Sequence, residues 1–514
     1  MNARASLSLR VAITLFSAGL LSLLAPPANW HWMHWFVFLP FFWVLRAETP
    51  KQNRWYGYLY GVFSVALLFR WIVDTITLFS PIPWIVSVGI LLLFAAVFGA
   101  PYVLIWSAVH PLRKGIGTWW VVVLPAVAVV TEWLSTYIIL FPYHHGASQY
   151  RVPYTWQLLS VTGIWGLTYL IYLVNCAWAE VLYRRREGQE AFPVFAVTGA
   201  IATLSAVVIY GALRYEQVER SLQDAPVVRM GQVQLATTMV ERLNKDAVEA
   251  FGEWVDLTKK FSPGQVDIMV WSEGSCPYFL SNERNRRPIA QIAKQGEFEF
   301  IVGAGARDPV PGSSSQDFHI FNTVYFFDKN GEMSGRYDKM VPLPFGEYLP
   351  GSRWFPGLAG LIPGVGDFRP GEIPTVVEGR HLRVATPICY EAILGRVCRQ
   401  YERPDVLVNV TNDGWFGDTA APHQHAMLAT IRATELGVPV FRAAYSGVSM
   451  IVEPHGHIYA ETEPFTEVAR VTHLRAATVP TLYARFGDWF VWLCMGIVGF
   501  AAYRIRSFER KNPA

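Results

Sequence analysis

The chain is expected to combine two fold classes: a multi-pass α-helical membrane domain and an α/β domain. Three observations predict this. Hydrophobic residues fill 52% of 514 positions and charged residues only 16%, where a soluble domain carries about 25% charge. Mean hydropathy is +0.25. The apolar residues are also unevenly placed: 1–213 is almost continuously apolar, 214–480 has a soluble composition, and 483–503 is apolar again. Such a composition excludes a disordered chain. The formal net charge of +3, without a long Lys/Arg run, leaves no footprint for nucleic acid.

About 20 apolar residues span a bilayer. By that length, seven helices are expected near 9–26, 29–46, 56–78, 83–109, 118–140, 156–182 and 193–213, and an eighth within 483–503. The first is read as retained, because Leu24-Ala25-Pro26-Pro27 lacks a small-x-small cleavage site and further spans follow at once.

Basic residues mark alternate loops. Arg4 and Arg10 precede the first span, Arg46, Lys51 and Arg54 follow the second, and Arg113 and Lys114 follow the fourth. Arg184, Arg185 and Arg186 follow the sixth, and Arg504, Arg506, Arg510 and Lys511 lie in the tail 504–514. The intervening loops 27–30 and 79–82 have no Lys or Arg, and 141–155 has only Arg151. The positive-inside rule then puts both termini in the cytoplasm of a bacterial inner membrane and 214–480 in the periplasm.

Within 214–480, short apolar and often β-branched stretches read as strands: 229–235, 266–271, 299–304, 322–327, 381–387 and 406–411. Helical patterns at 390–401 and 423–436 give an α/β order. The five cysteines are odd in number, irregular in spacing and without a CxxC pair, so neither a disulfide framework nor a metal site is expected.

Three residues in this segment suggest chemistry. Cys389, in Thr386-Pro387-Ile388-Cys389-Tyr390-Glu391, follows a strand and is expected to open a helix, where the dipole favours a thiolate. Glu273 follows the strand ending at Trp271, beside Gly274, where a carboxylate can act as a base. Lys339 leads into the Pro- and Gly-containing stretch to Glu347 and is placed to meet an oxyanion. Singly, each has an ordinary explanation as a core thiol, a loop carboxylate or a surface lysine. Together they form a base, a nucleophile and a cation near strand ends of one α/β domain, where such folds gather ligands.

The ordered set Glu273, Lys339 and Cys389 resembles the Glu-Lys-Cys triad of the nitrilase superfamily. The words Asp338-Lys339-Met340-Val341-Pro342, Pro344-Phe345-Gly346-Glu347, Ile388-Cys389-Tyr390-Glu391 and Asn412-Asp413-Gly414-Trp415-Phe416-Gly417 resemble its membrane branch, the apolipoprotein N-acyltransferases. Pro422-His423-Gln424-His425 and Arg432-Ala433-Thr434-Glu435 do so as well. The resemblance covers nearly the whole chain. It implies an α-β-β-α sandwich for 214–480, set between the seventh and eighth spans. It implies that Cys389 takes an acyl chain from a phospholipid as a thioester, resolved by the α-amino group of a diacylglyceryl-cysteine on an apolipoprotein. Glu273 would be the base and Lys339 the oxyanion partner, with Glu347, Tyr390 and Glu391 in support. The Tyr390 N–H would be a second oxyanion donor. No cofactor is implied, and a monomer is expected. The 234–239 stretch, where the family commonly shows a different sequence, is expected to border the lipid entrance.

In the membrane part, Arg70 and Asp74 are expected to pair or to meet a headgroup, and Glu132 to face the bundle. His144 and His145 are expected in a loop just outside the membrane, where adjacent histidines are poor metal spacing. Competing readings are an amide hydrolase using the same triad, a non-enzymatic sensor on a degenerate domain, and a transporter. The first is disfavoured by the membrane helices, the second by the intact triad, and the third by the scarcity of charges at mid-membrane depth.

Overall fold

The computed structural model describes residues 6–45, 49–80, 82–138, 141–310, 312, 317–351 and 366–511. Arg4, Arg46, position 81 of the third loop, 139–140 of the fifth predicted span and 512–514 of the tail lie outside the described residues. The chain divides into two units, one of Met1–Glu216 with Thr481–Ala514 and one of Gln217–Pro480.

The first unit begins with α1 (Leu7–Ser22), α2 (Leu39–Val44), α3 (Pro50–Leu68), α4 (Trp71–Phe79), α5 (Trp84–Phe98), α6 (Pro101–Ile116) and α7 (Trp120–Ser135). It continues through α8 (Pro153–Trp156), α9 (Leu159–Thr162), α10 (Ile164–Arg186) and α11 (Val194–Gln223), whose residues from Gln217 on belong to the second unit. The second predicted span, 29–46, is not one helix. It forms a 3-10 turn at His31–Trp35 and then the six-residue α2, with Pro40 in the first turn of α2. The third predicted span is bent by 50° between α3 and α4. Gly61 and Gly99 let α3 cross the α5–α6 break closely, since a Cβ on Gly61 would lie 2.2 Å from the Gly99 carbonyl oxygen.

Arg70 and Asp74 are both exposed, and no contact joins them among the described residues, so the expected pair is not formed. Glu132 is buried, as its position predicts. His144 and His145 lie in the expected loop and its following 3-10 turn, and both are buried. The reason is polar satisfaction: Glu132 takes the His144 ring at 2.8 Å, the His145 N–H at 3.3 Å and the Thr168 hydroxyl at 3.2 Å. Basic loop residues meet at one end of this bundle. Arg113 pairs with Glu187 at 2.9 Å, Arg184 with Glu180 at 2.9 Å, and Arg186 lies over the Trp43 ring.

The second unit holds β1 (Val227–Gln234), β2 (Ile268–Cys276), β3 (Glu299–Pro309), β4 (Phe318–Phe327), β5 (Met333–Asp338) and β6 (Val376–Glu378). It also holds β7 (Arg383–Ala385), β8 (Val406–Thr411), β9 (Val440–Ala444), β10 (Met450–Val452), β11 (Ile458–Tyr459) and β12 (Val468–Arg475). Its helices are α12 (Met239–Asn244), α13 (Ala247–Thr258), α14 (Glu283–Gly296), α15 (Gly395–Cys398) and α16 (Ala420–Leu436).

Two six-stranded sheets form, ordered β12-β1-β2-β3-β4-β5 and β11-β10-β9-β8-β7-β6. Each has three parallel strands, β1-β2-β3 and β7-β8-β9, flanked by antiparallel ones. The sheets meet through β2 against β8 and β9. Trp254 of α13 and Ile289 and Ala293 of α14 pack with Trp271 and Phe300 on one sheet, and α16 packs on β9 of the other. The layers are therefore helix, sheet, sheet, helix. All six predicted strands exist, β8 with the expected ends and the other five with shifted ones. The pattern missed β5, β6 and β9 to β12; of these β5 is a polar edge strand, and edge strands lack the apolar signal that burial imposes. The carboxylates of Glu219 and Glu453 both bind Arg475, at 2.9 and 2.6 Å, with His455 alongside.

The chain returns to the first unit as α17 (Leu482–Phe486) and α18 (Trp489–Lys511), which packs on α7. Among the described residues, four helical stretches are long and apolar enough to cross a membrane, or five with the bent α3–α4 pair. One of them, Trp84–Ser135, is 52 residues long and covers most of the predicted fourth and fifth spans, 83–109 and 118–140. At 1.5 Å per residue it would reach about 78 Å if straight; it breaks at Gly99-Ala100 and again at Gly117, whose φ is +55°.

Candidate active site

Of the predicted triad, Glu273 sits in an interrupted strand and Lys339 and Cys389 follow strand ends. Strand β2 does not stop at Trp271. It continues to Cys276 with a bulge, since Trp271 and Cys276 pair with Val302 and Ala304. The extra residues throw Glu273 out of the ladder. Gly303 permits this, because a Cβ there would lie 2.2 Å from the Ser272 carbonyl oxygen. Lys339 follows β5, and its backbone N–H still bonds the Asn322 carbonyl at 2.9 Å. Cys389 follows β7, at a left-handed φ of +50°.

No long helix follows Cys389, contrary to expectation. A 3-10 turn, Cys389–Ile393, is followed by an extended Leu394 and the four-residue α15. The cause is Glu391, which is fully buried and points back along the chain. One of its oxygens accepts from the N–H groups of Met340 at 2.7 Å and Val341 at 3.0 Å. The other accepts from the Ile388 N–H at 2.8 Å and the Tyr337 hydroxyl at 2.9 Å. One carboxylate thus ties the segment after Lys339 to the residue before Cys389.

The structure brings Glu273, Lys339 and Glu347 into one buried cluster. The Lys339 Nζ lies 2.7 Å from Glu347 Oε2 and 3.3 Å from Glu273 Oε1. Lys339 is only 1% exposed. Burial opposes its charge, but the Glu347 and Glu273 carboxylates outweigh that and hold the ammonium well above its ordinary range. The Cys389 thiol is close enough to feel both Glu273 and Lys339. Burial and the Glu273 charge push it up, so the expected helix-lowered thiolate is replaced by a protonated resting thiol. Burial likewise raises Glu391 to about 7, against four hydrogen bonds that favour its charged form. Tyr390 is buried beside the nucleophile, its phenol pushed up to about 12 by that burial.

Two contributors were not foreseen from sequence. Asn322 of β4 donates through its single amide nitrogen to Glu273 at 2.7 Å and to Glu347 at 2.6 Å. The Asn412 backbone N–H donates to the other oxygen of Glu273 at 2.8 Å. Asn412 belongs to a conspicuous word, but Asn322 carried no signal beyond a polar residue opening a predicted strand. The 234–239 stretch does reach this site, since Met239 Sδ accepts from the Asn412 side chain at 3.3 Å. All five cysteines are free and buried.

Two family models match the chain. One, described as carbon-nitrogen hydrolase, covers 228–481, and the other, described as apolipoprotein N-acyltransferase N-terminal domain, covers 17–177. A curated apolipoprotein N-acyltransferase of Geobacter metallireducens is 28% identical over 512 residues, covering 97% of this chain and 95% of that one. Another, of Bradyrhizobium diazoefficiens, is 30% identical over 410 residues, covering 76% and 74%. Among solved structures, a carbon-nitrogen hydrolase of Helicobacter pylori aligns with 52% of this chain and 94% of its own, at 13% identity and a TM-score of 0.37. With a relative 30% identical over more than two thirds of its length, and both family models matched in order, this chain belongs to the apolipoprotein N-acyltransferase family of the nitrilase superfamily.

Proposed function

We propose that the protein moves an acyl chain from a phospholipid to the α-amino group of a diacylglyceryl-cysteine at an apolipoprotein N-terminus, in two steps through Cys389. The observation that carries this reading is the buried Glu273–Lys339–Glu347 cluster acting on the Cys389 thiol, in a chain of this family.

Glu273 takes the thiol proton, and the sulfur attacks the ester carbonyl carbon. The carbonyl oxygen becomes an oxyanion that Lys339 stabilises, with the Tyr390 N–H as second donor. Collapse breaks the ester C–O bond. The lysophospholipid oxygen leaves with the proton from Glu273, and a thioester remains. The amine then attacks the thioester, Glu273 takes its proton and returns it to the leaving sulfur, and the C–S bond breaks to give an amide and the thiol. A raised thiol suits this scheme: the nucleophile stays protonated until its base and substrate are in place.

Eight membrane passes, both termini in the cytoplasm and residues 214–480 in the periplasm complete the reading. It is supported by the gathering of predicted cytoplasmic loops at one bundle end. The fourth-span loop meets the sixth through Arg113–Glu187, the second meets the sixth through Arg186–Trp43, and Gly115 abuts Ile505 of the tail helix. A periplasmic active site beside the bilayer fits two lipid-anchored substrates, and orienting them lowers the barrier.

The test is intact-mass spectrometry of the full-length protein in detergent with a phospholipid and no acceptor. One added acyl chain on Cys389, discharged by a diacylglyceryl peptide, is expected. Cys389→Ala and Cys389→Ser should show neither adduct nor product. Cys276→Ala and Cys398→Ala should keep both, since those thiols donate to the Tyr278 and Glu391 carbonyls and not to a base. An adduct that water discharges as fast as the peptide would indicate a hydrolase instead.

A further inference from the structure

Four buried polar side chains that this reaction does not use form one network, and two of them, Asn409 and His425, bond the backbone carbonyl oxygen of Cys389. The four are Asn409, Asp413, His425 and Arg442, of which the most exposed, His425, reaches only 4%. Asn409 of β8 and Arg442 of β9 face each other in the parallel ladder. The Arg442 guanidinium forks. One nitrogen donates to Asn409 Oδ1 and another to Asp413 Oδ2 at 2.7 Å, while Nε is anchored on the Val448 carbonyl at 3.0 Å.

Each arm of the fork then orients a donor. With its oxygen taken by Arg442, the Asn409 amide must present its nitrogen the other way. That nitrogen donates to the Pro387 carbonyl at 2.8 Å and to the Cys389 carbonyl at 3.4 Å. On the second arm, Asp413 Oδ1 lies 2.8 Å from His425 Nδ1, and His425 Nε2 lies 3.3 Å from the same Cys389 carbonyl. The Asp413 carboxylate and the Cys389 carbonyl both only accept, so the two contacts are made together when each ring nitrogen of His425 carries a hydrogen.

The clamp acts on a strained peptide. Cys389 has a φ of +50°, which a residue with a Cβ rarely adopts. In a planar trans peptide, the Cys389 carbonyl and the Tyr390 N–H point in opposite directions. Donors that hold the carbonyl therefore aim the N–H. Oxyanion donors are effective only when fixed in advance of the reaction.

We infer that Arg442 is a positioning residue which, through Asn409 on one arm and Asp413–His425 on the other, locks the Cys389–Tyr390 peptide so that the Tyr390 N–H meets the oxyanion beside Lys339. This rests on the reading of Cys389 as the acyl-accepting nucleophile. It assigns a shared task to residues drawn from three separate segments of the chain.

The experiment measures two rates at Cys389 in the full-length protein in detergent. One is alkylation by iodoacetamide, which forms no oxyanion. The other is acylation by a phospholipid with a fluorescent acyl chain, which does. His425→Leu and Asn409→Leu should each slow acylation about 10- to 100-fold, leave the phospholipid KM unchanged, and alter alkylation by less than about two-fold. His425→Gln, whose amide nitrogen can reach the same carbonyl, should recover most of the acylation rate.

A parallel fall in both rates, or no fall in acylation, overturns the inference. Where His425→Leu loses its thermal transition, Asn409→Leu and His425→Gln decide the matter by the same two rates. A wild-type protein that alkylates at Cys389 but never acylates there overturns the nucleophile reading, and this inference with it. Failure of the variants alone, with wild-type acylation intact, overturns only the inference.

Discussion

The Lys339 ammonium lies 2.7 Å from the Glu347 carboxylate, closer than its 3.3 Å to Glu273. Glu347 is itself fixed by the Leu343 N–H at 2.6 Å and by the Asn322 amide. The lysine charge is therefore largely compensated by a carboxylate other than the proposed base. Asn322, bonded to both, keeps the two carboxylates apart on either side of one cation.

Glu347→Gln tests this division of labour. Without the second carboxylate the ammonium is drawn onto Glu273, which then holds a salt bridge where it should take a proton. The expected result is a fall in kcat on the order of 100-fold with little change in phospholipid KM, read in a steady-state transfer assay. An unchanged kcat would leave Glu347 a purely structural partner of the loop.

Glu391 should make stability pH-dependent in a defined direction. Burial raises it from the ordinary 4.5 to about 7. For a group raised on folding, the stabilising contribution is fully present below the unfolded value and is lost as pH rises through the folded one. Wild-type stability relative to Glu391→Gln should thus decline between about pH 4.5 and pH 7, by a total on the order of 3 kcal/mol. Thermal unfolding of both proteins across that window measures it. A relative gain with rising pH would mean that the four hydrogen bonds outweigh burial. Activity of Glu391→Gln should be low at every pH, because an amide nitrogen cannot accept from the N–H groups of Met340, Val341 or Ile388.

The proposed topology has its own check. Ser334 is exposed on β5, and all five native cysteines are buried. In cells whose outer membrane is made permeable, Ser334→Cys should react with a membrane-impermeant maleimide while the inner membrane is intact. Reaction only after inner-membrane lysis would place 214–480 in the cytoplasm.

Much of the site was legible because its residues stand in short, distinctive words. Glu273, Lys339 and Cys389 could be picked out in order; Lys339 and Cys389 do follow strand ends, whereas Glu273 stands in a bulge within β2. The helix expected after Cys389 was not there, although its pattern is plausible. A side chain three residues on, Glu391, takes the Ile388 N–H and two more from beyond Lys339, and a propensity argument cannot weigh a partner 50 residues away. The 29–46 stretch was misread for a related reason: enough apolar residues to span do not ensure one continuous helix when Pro40 and an aromatic run intervene.

By itself the sequence determined that this is a membrane protein with an α/β domain before its last apolar segment, because run length and hydropathy are local sums over neighbouring residues. It also determined which residues could act as base, cation and nucleophile. Only the tertiary structure decided their states. That Lys339 stays charged, that the Cys389 thiol rests protonated, and that Arg442 and Asn409 face each other behind a strained carbonyl follow from burial and strand register. Those relationships join residues tens of positions apart, and only packing of the two sheets brings them within hydrogen-bonding distance.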